Sequence, residues 1–382
     1  MNVIAFIVFV LTLVSIAIFH KRSLECALAG LFVLVVLKYF GGDFSIWSHL
    51  IGHDGHEGEW RILLNLLGLL TGFEVLSKHF TDSGVPQHLP LFLPDDWKGG
   101  FVLLAIVFVL SSFLDNIAAA MIGGAVASVV FKGKVHIGFI VAIVAAANAG
   151  GSGSVIGDTT TTMMWISGIP PLKIVGAYLA AFSSFFCFAI IAARQQDKHQ
   201  VILKDELENF PVDKTRLLIV ILMLAGTVSA NILFDFPALG LWVMLVISSF
   251  LRKIPVAVIR QSLRGTFFLM ALVLAASLLP VSDLPAPTTG STFLLGILSS
   301  VFDNIPLTKL AIESGGYDWS MLAYAVGFGG SMIWFGSSAG VAISNIFPES
   351  RSVFLWVKSG WHVIISYGIG FWLQHLILGW HP

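Results

Sequence analysis

An aspartate followed by an asparagine stands inside two apolar stretches, SSFLDNI (Ser111 to Ile117) and SSVFDNI (Ser299 to Ile305), which agree at five of seven positions and lie 188 residues apart. A carboxylate at bilayer depth costs about 2.5 to 3.5 kcal/mol even on the lenient insertion scale, so a chain that repeats this placement is set up to handle ions or protons there. Carboxylate, amide, hydroxyl and backbone carbonyl oxygens are the donors a hard alkali cation prefers, and a dehydrated carboxylate also holds a proton more tightly. Asp115, Asn116, Asp303 and Asn304 can therefore hold a small cation or a proton, but not both fully. Such competition, joined to alternating access, is sufficient for exchange.

A second pair of segments follows. In NAGGSGSVIGDTTTT (Asn148 to Thr162) and GFGGSMIWFGSSAG (Gly327 to Gly340), Gly150, Gly151, Ser152 and Gly157 align with Gly329, Gly330, Ser331 and Gly336. Glycines let a helix unwind and expose carbonyls and helix ends to an ion. Close packing through small residues also accounts for the glycines, but not for Asp158, which with Thr159 and Thr160 adds a carboxylate and hydroxyls where the second copy offers Ser337 and Ser338. Glu74 is a further deep acid near a helix end. His362 and His375 read as satisfied histidines of the last span, and Lys309 and Glu313, four apart, read as a pair. Gly150-Gly151-Ser152-Gly153 also fits the Gly-x-Ser-Gly pattern of intramembrane serine proteases, with His362 or His375 as base, a reading that leaves both Asp-Asn copies unexplained.

The elements that must carry these groups belong to a membrane. Only 11% of the 382 residues are charged and 57% are hydrophobic, against about 25% charged in soluble domains. The net charge of −1 and the lack of a basic block exclude a nucleic-acid partner, and Cys26 and Cys187 sit in apolar runs. Candidate spans are 1–19, read as a transmembrane helix rather than a signal peptide, then 24–40, 60–78, 172–193, 216–233, 237–251, 266–279 and 353–380. Residues 100–131 and 291–313, with Asp-Asn near the middle, suit re-entrant hairpins. Residues 135–168 and 318–347 are too long for one straight crossing and read as broken helices. Residues 252–265 alternate basic and apolar side chains and read as an interfacial arm. Pro306 is expected to free the Phe302 carbonyl beside Asp303.

Of 21 lysines and arginines, 17 then fall on the cytoplasmic side, among them Lys21, with Lys38, Arg61 and Lys173 outside and Lys309 in the second hairpin. That bias places the N-terminus outside and makes the second hairpin enter from the opposite face, so the repeats are inverted. The expected fold is an all-α polytopic membrane protein with scaffold and transport domains. Scaffold helices occupy 1–59, a first repeat 60–193 and a second repeat 216–382. A cytoplasmic linker at 194–215 carries Lys204, Asp205, Glu206 and Glu208.

The TGFEV stretch around Glu74, SSFLDN, NAGGSGSVIGDTTTTMMW, SSVFDNIPL and GGSMIWFGSSAGVA together resemble the NhaD-type sodium/proton antiporters of the ion transporter superfamily, which also holds citrate, dicarboxylate and arsenite carriers. The likeness implies an inner-membrane homodimer held by scaffold helices, an elevator-like transport domain, and no cofactor beyond the transported sodium and protons. It implies that Asp115, Asn116, Asp158, Thr159, Thr160, Asp303, Asn304, Ser337 and Ser338 line the ion path. Asn148, Gly151, Ser152, Ser331 and Glu74 complete the expected path. Such antiporters follow the first Asp-Asn with hydroxyl residues, where this chain has Ile117, Ala118 and Ala119, and carry Thr-Pro where it has Ser154 and Val155. Lithium in place of sodium, and coupled carriage of a small anion, are the alternatives this leaves.

Overall fold

The computed structural model describes residues 2–19, 22–40, 45–53, 56–203, 211–280 and 285–382; Lys21 and the linker residues Lys204, Asp205, Glu206 and Glu208 lie outside them. The first half contains α1 (Asn2–Ile18), α2 (Ser23–Phe40), α3 (Trp60–Thr81), α4 (Trp97–Ser111), α5 (Asn116–Val130), α6 (Ile137–Ser152), α7 (Thr159–Ile166) and α8 (Ala177–His199). The second contains α9 (Lys214–Phe234), α10 (Pro237–Ser248), α11 (Val256–Ser277), α12 (Thr289–Ser299), α13 (Asn304–Ser314), α14 (Trp319–Gly329), α15 (Ser338–Ile346) and α16 (Trp361–Leu378). Short helical turns and one two-residue antiparallel pair, Gly52–His53 with His56–Glu57, fill the connections. Six helical segments among the described residues are long and apolar enough to cross a membrane.

Helix ends fall where the chain can cap them. Asp96, Asp158, Asp213 and Asp318 each accept a backbone N–H at the start of α4, α7, α9 and α14, and Thr288 with Ser291 closes a capping box on α12. Both Asp-Asn stretches interrupt a helix, between α4 and α5 at 112–115 and between α12 and α13 at 300–303. Both glycine segments interrupt their helices, at 153–158 and 330–337.

Three expectations need correction. Residues 256–277 are one helix, not an arm followed by a span, because nothing between Val256 and Ser277 except Gly265 interrupts the helical pattern and Arg260 and Arg264 simply occupy its first turns. The last span is broken at Gly360, between Val353–Ser359 and α16, where a β-carbon would meet the side chain of Val141. Pro306 lies in the first turn of α13, where its missing N–H has no intrahelical partner to lose; the first copy, with Ala118, breaks at the same place without it.

Helix contacts come in matched pairs. α2 packs on α11 as α10 packs on α3, α4 on α6 as α12 on α14, and α5 on α15 as α13 on α7. The pairs α3 with α11, α6 with α14 and α8 with α16 pack across the two halves. Close approach repeats as well. A β-carbon on Gly151 would lie 2.7 Å from the Gly157 carbonyl oxygen and 3.0 Å from Asp158 Cβ; one on Gly330 would lie 2.8 Å from the Gly336 oxygen and 3.0 Å from Ser337 Cβ. Only glycine fits either crossing, which holds Asp158 and Ser337 at equivalent places.

Candidate ion-binding site

Four helices, α5, α7, α13 and α15, begin at Asn116, Thr159, Asn304 and Ser338, and all four of these residues line one cavity of about 130 Å3. Glu74, Asp115 and Asp158, with Ser262 and Thr266 of α11, complete its polar lining, and apolar side chains from α3 and α11 make up the rest. The Asp158 side chain is almost fully buried. It takes hydrogen bonds from Asn116 Nδ2 at 3.1 Å, from Thr160 Oγ1 at 2.8 Å and from the Thr160 N–H at 3.4 Å. Buried carboxylates require such donors. Asp115 stands at the N-cap position of α5, its carboxylate beside the N–H groups of Ile117 and Asn116, and lines the cavity.

Asn148 joins the two halves. Its Oδ1 accepts from Asn116 Nδ2 at 3.1 Å, and its Nδ2 donates to Ser331 Oγ at 2.9 Å and Ser337 Oγ at 3.2 Å. Ser337 Oγ in turn accepts from the Gly340 N–H at the start of α15. The predicted path residues Asn148, Thr160, Ser331 and Ser337 therefore form a buried shell around the cavity-lining Asn116 and Asp158.

Other predicted residues fall elsewhere. Asp303 does not line this cavity. Its Oδ1 accepts the Ile305 N–H at 3.0 Å, capping α13, and it lies on a neighbouring cavity of about 580 Å3 with Ser23, Gln261, Ser338 and Asn345. Gly151 serves the helix crossing. Ser152 is buried and donates to the Ala149 carbonyl at 2.8 Å, with no histidine in reach of a hydrogen bond among the described residues, so the arrangement a serine protease needs is absent there. His362 Nε2 pairs with Gln195 Oε1 at 3.2 Å, but Nδ1 of His362 and of His375 each lack a hydrogen-bond partner in the described structure, so neither ring is fully satisfied.

The α11 wall, including Ser262, Gly265 and Thr266, is one that the sequence does not announce. Its basic end points to the surface, and the small and hydroxyl residues of a continuous helix are the available signal. Glu59 is a second such residue: Lys309 pairs with Glu313 as expected, Nζ to Oε1 2.6 Å, but equally with Glu59, Nζ to Oε2 2.9 Å. Nothing in the sequence joins residues 250 positions apart.

These helices and their buried polar centre define a polytopic membrane protein. The chain is similar to sodium/proton antiporter 1 of Arabidopsis thaliana, 27% identical over 335 residues covering 75% of this chain and 56% of that protein. It is similar to sodium/proton antiporter 2 of the same plant, 26% identical over 87% of this chain and 90% of the relative, and to the Na(+)/H(+) antiporter NhaD of Alkalimonas amylolytica, 28% identical over 65% of this chain and 62% of the relative. The chain thus spans little more than half the length of the first of these. No family model matches it.

Proposed function

We propose that this chain exchanges sodium, or lithium, for protons across a cell membrane, with Asp115, Asn116, Asp158, Thr159 and Asn304 forming the cation site and Glu74 flanking it. The observation that carries this reading is the charge balance of the cavity. A helix N-terminus is worth about +0.5 elementary charge, so four of them favour an anion with about +2 until the nearby carboxylates are counted. Asp115 and Asp158 stand at the starts of α5 and α7, and Glu74 is the third carboxylate lining the cavity. With those acids ionised the centre carries about −1, which suits one monovalent cation or one proton. The bare N-termini are what an anion carrier would use, and this is the second reading; here the carboxylates occupy them.

The matched helix contacts support an inverted repeat of eight helices, α1–α8 and α9–α16. They also support a scaffold drawn by packing, with α1–α3 and α9–α11 as one group and the hairpin and broken helices as the other, sliding as an elevator. Only 17% of Ser23–Phe40 is buried, which leaves that scaffold helix free for lipid or for a second copy in a homodimer. Lys78, Lys132 and Arg216 lie near one end of the bundle, consistent with that end facing the cytoplasm and the N-terminus facing outward.

The test is dye-reported proton movement in inverted inner-membrane vesicles, comparing lithium, sodium, potassium and small carboxylates. Sodium or lithium alone should drive proton release in the wild type and not in Asp115→Asn. Proton movement that needs an added anion, or that survives Asp115→Asn, would transfer the chain to the second reading.

A further inference from the structure

Along α3, three cavities are met in order. Glu59 and Arg61 line one of about 620 Å3, Leu70 to Glu74 line the central one, and Ser77 and Thr81 line a third of about 540 Å3. The barriers between them are unequal. Glu74 and Ile117 belong to both the central cavity and the third, so one layer of side chains separates those two. Between the central cavity and the Glu59 end lies an apolar plug of Leu66, Met163, Leu269, Val273 and Ile305. About eleven residues of helix separate Glu59 from Leu70, or roughly 17 Å at 1.5 Å per residue.

Beside that plug sits Lys309, 1% exposed, its ammonium held by Glu59 and Glu313. An ammonium is not buried unless paired. Glu313 lies on the same helix as Lys309, whereas Glu59 lies just before α3. The Glu59 bond therefore ties the arm that begins at Asn304 to the start of the scaffold helix that carries Glu74.

We propose that Lys309 is a positioning residue which, through Glu59, clasps α13 to α3 and holds the Glu59 end of the route shut in this conformation, and that the clasp opens once in each transport cycle. This rests on the alternating-access reading above, but not on which ion is carried. Breaking the pair removes a tie that exists only in the state with the plug closed, so the population shifts toward the state open at the Glu59 end.

The experiment uses the full chain in oriented proteoliposomes with Cys26 and Cys187 replaced by alanine, and a single thiol introduced by Met163→Cys in the plug or by Ala118→Cys on the opposite cavity. A membrane-impermeant maleimide is added from either face. Lys309→Met and, more mildly, Glu59→Gln should raise labelling at position 163 from the Glu59 face severalfold and lower labelling at position 118 from the other face, while Lys309→Arg stays at the parent level. Unchanged labelling at 163, or a rise at both positions together, would overturn the clasp, the latter because general loosening exposes both ends. Labelling needs no transported ion. If the reciprocal shift appears while the same vesicles show no sodium-driven proton flux, the clasp stands and the exchange reading fails; flux without the shift overturns the clasp and leaves the exchange reading standing.

Discussion

The two Asp-Asn turns have the same backbone and different side-chain duties. Asp115 sits at φ −54°, ψ 142° and Asp303 at φ −52°, ψ 139°, so the repeated heptapeptide dictates one local fold. Yet Asp303 holds the Ile305 N–H at 3.0 Å and turns to a neighbouring cavity, while Asp115 approaches the N–H groups of Ile117 and Asn116 more loosely and lines the central cavity with Glu74 and Asp158. The arms diverge too. In the first turn α4 and α5 lie side by side, with Gly123 against Val107; in the second, α12 and α13 barely touch and α13 leans on α11 and α7 instead. Ala311 and Ile312 stand 188 residues after Gly123 and Gly124, so the second copy lacks the glycine pair whose first member packs against Val107. A duplicated motif thus conserves a bend, and the packing around it decides what each carboxylate can bind.

This contrast can be broken by substitution. Asp115→Asn should weaken apparent cation affinity by about 100-fold and Asp303→Asn by less than about 10-fold, since loss of a charged partner costs roughly 1.5 to 3 kcal/mol and each 1.4 kcal/mol is tenfold; equal losses in sodium titrations would show both acids at one site. Asn148→Ala removes one hydrogen-bond partner from each of Asn116, Ser331 and Ser337. It should lower stability by about 2 to 3 kcal/mol, read as a shift of the thermal transition in detergent, and a neutral outcome would mean the halves are not joined there. Asp303→Ala removes a cap and should cost about 1 kcal/mol, whereas Asp115→Ala should cost less through capping; the difference in transition temperature between these two variants sharpens the comparison most directly.

The smallest effect lies outside the membrane, at Asp213. Partial desolvation pushes this carboxyl up, but hydrogen bonds from Arg252 and from the N–H groups of Arg216 and Thr215, with the Arg252 charge, outweigh it and hold Asp213 below the usual carboxylate range. A lowered folded value gives stability that is present above the unfolded value, near 3.9, and is lost as pH falls through the folded one. Asp213→Asn should therefore lower stability slightly at neutral pH, leave the most acid end nearly unchanged, and so flatten the profile below about pH 4, as thermal melts across that range would reveal.

Much of this is legible in the residues because it is local. Asp115 and Asp303 mark helix breaks, and Gly151 and Gly330 mark crossings, through chemistry that acts within a few positions. What the residues conceal is of two kinds. Arg260 and Arg264 suggest a surface arm because charge reports solvent, whereas helix continuity depends on the absence of a breaker, so a single helix looks like two elements. The separation of Asp303 from Asp115, and the pairing of Lys309 with Glu59, are set by which helix lies against which, and that is decided by packing between distant segments.

The cross-half packing of α3 on α11, α6 on α14 and α8 on α16 carries one more consequence. Each half covers surfaces that the other leaves bare, through helices that lie on either side of His199 and Lys214. Two separately translated halves, sharing one bilayer, should find each other and reconstitute the whole.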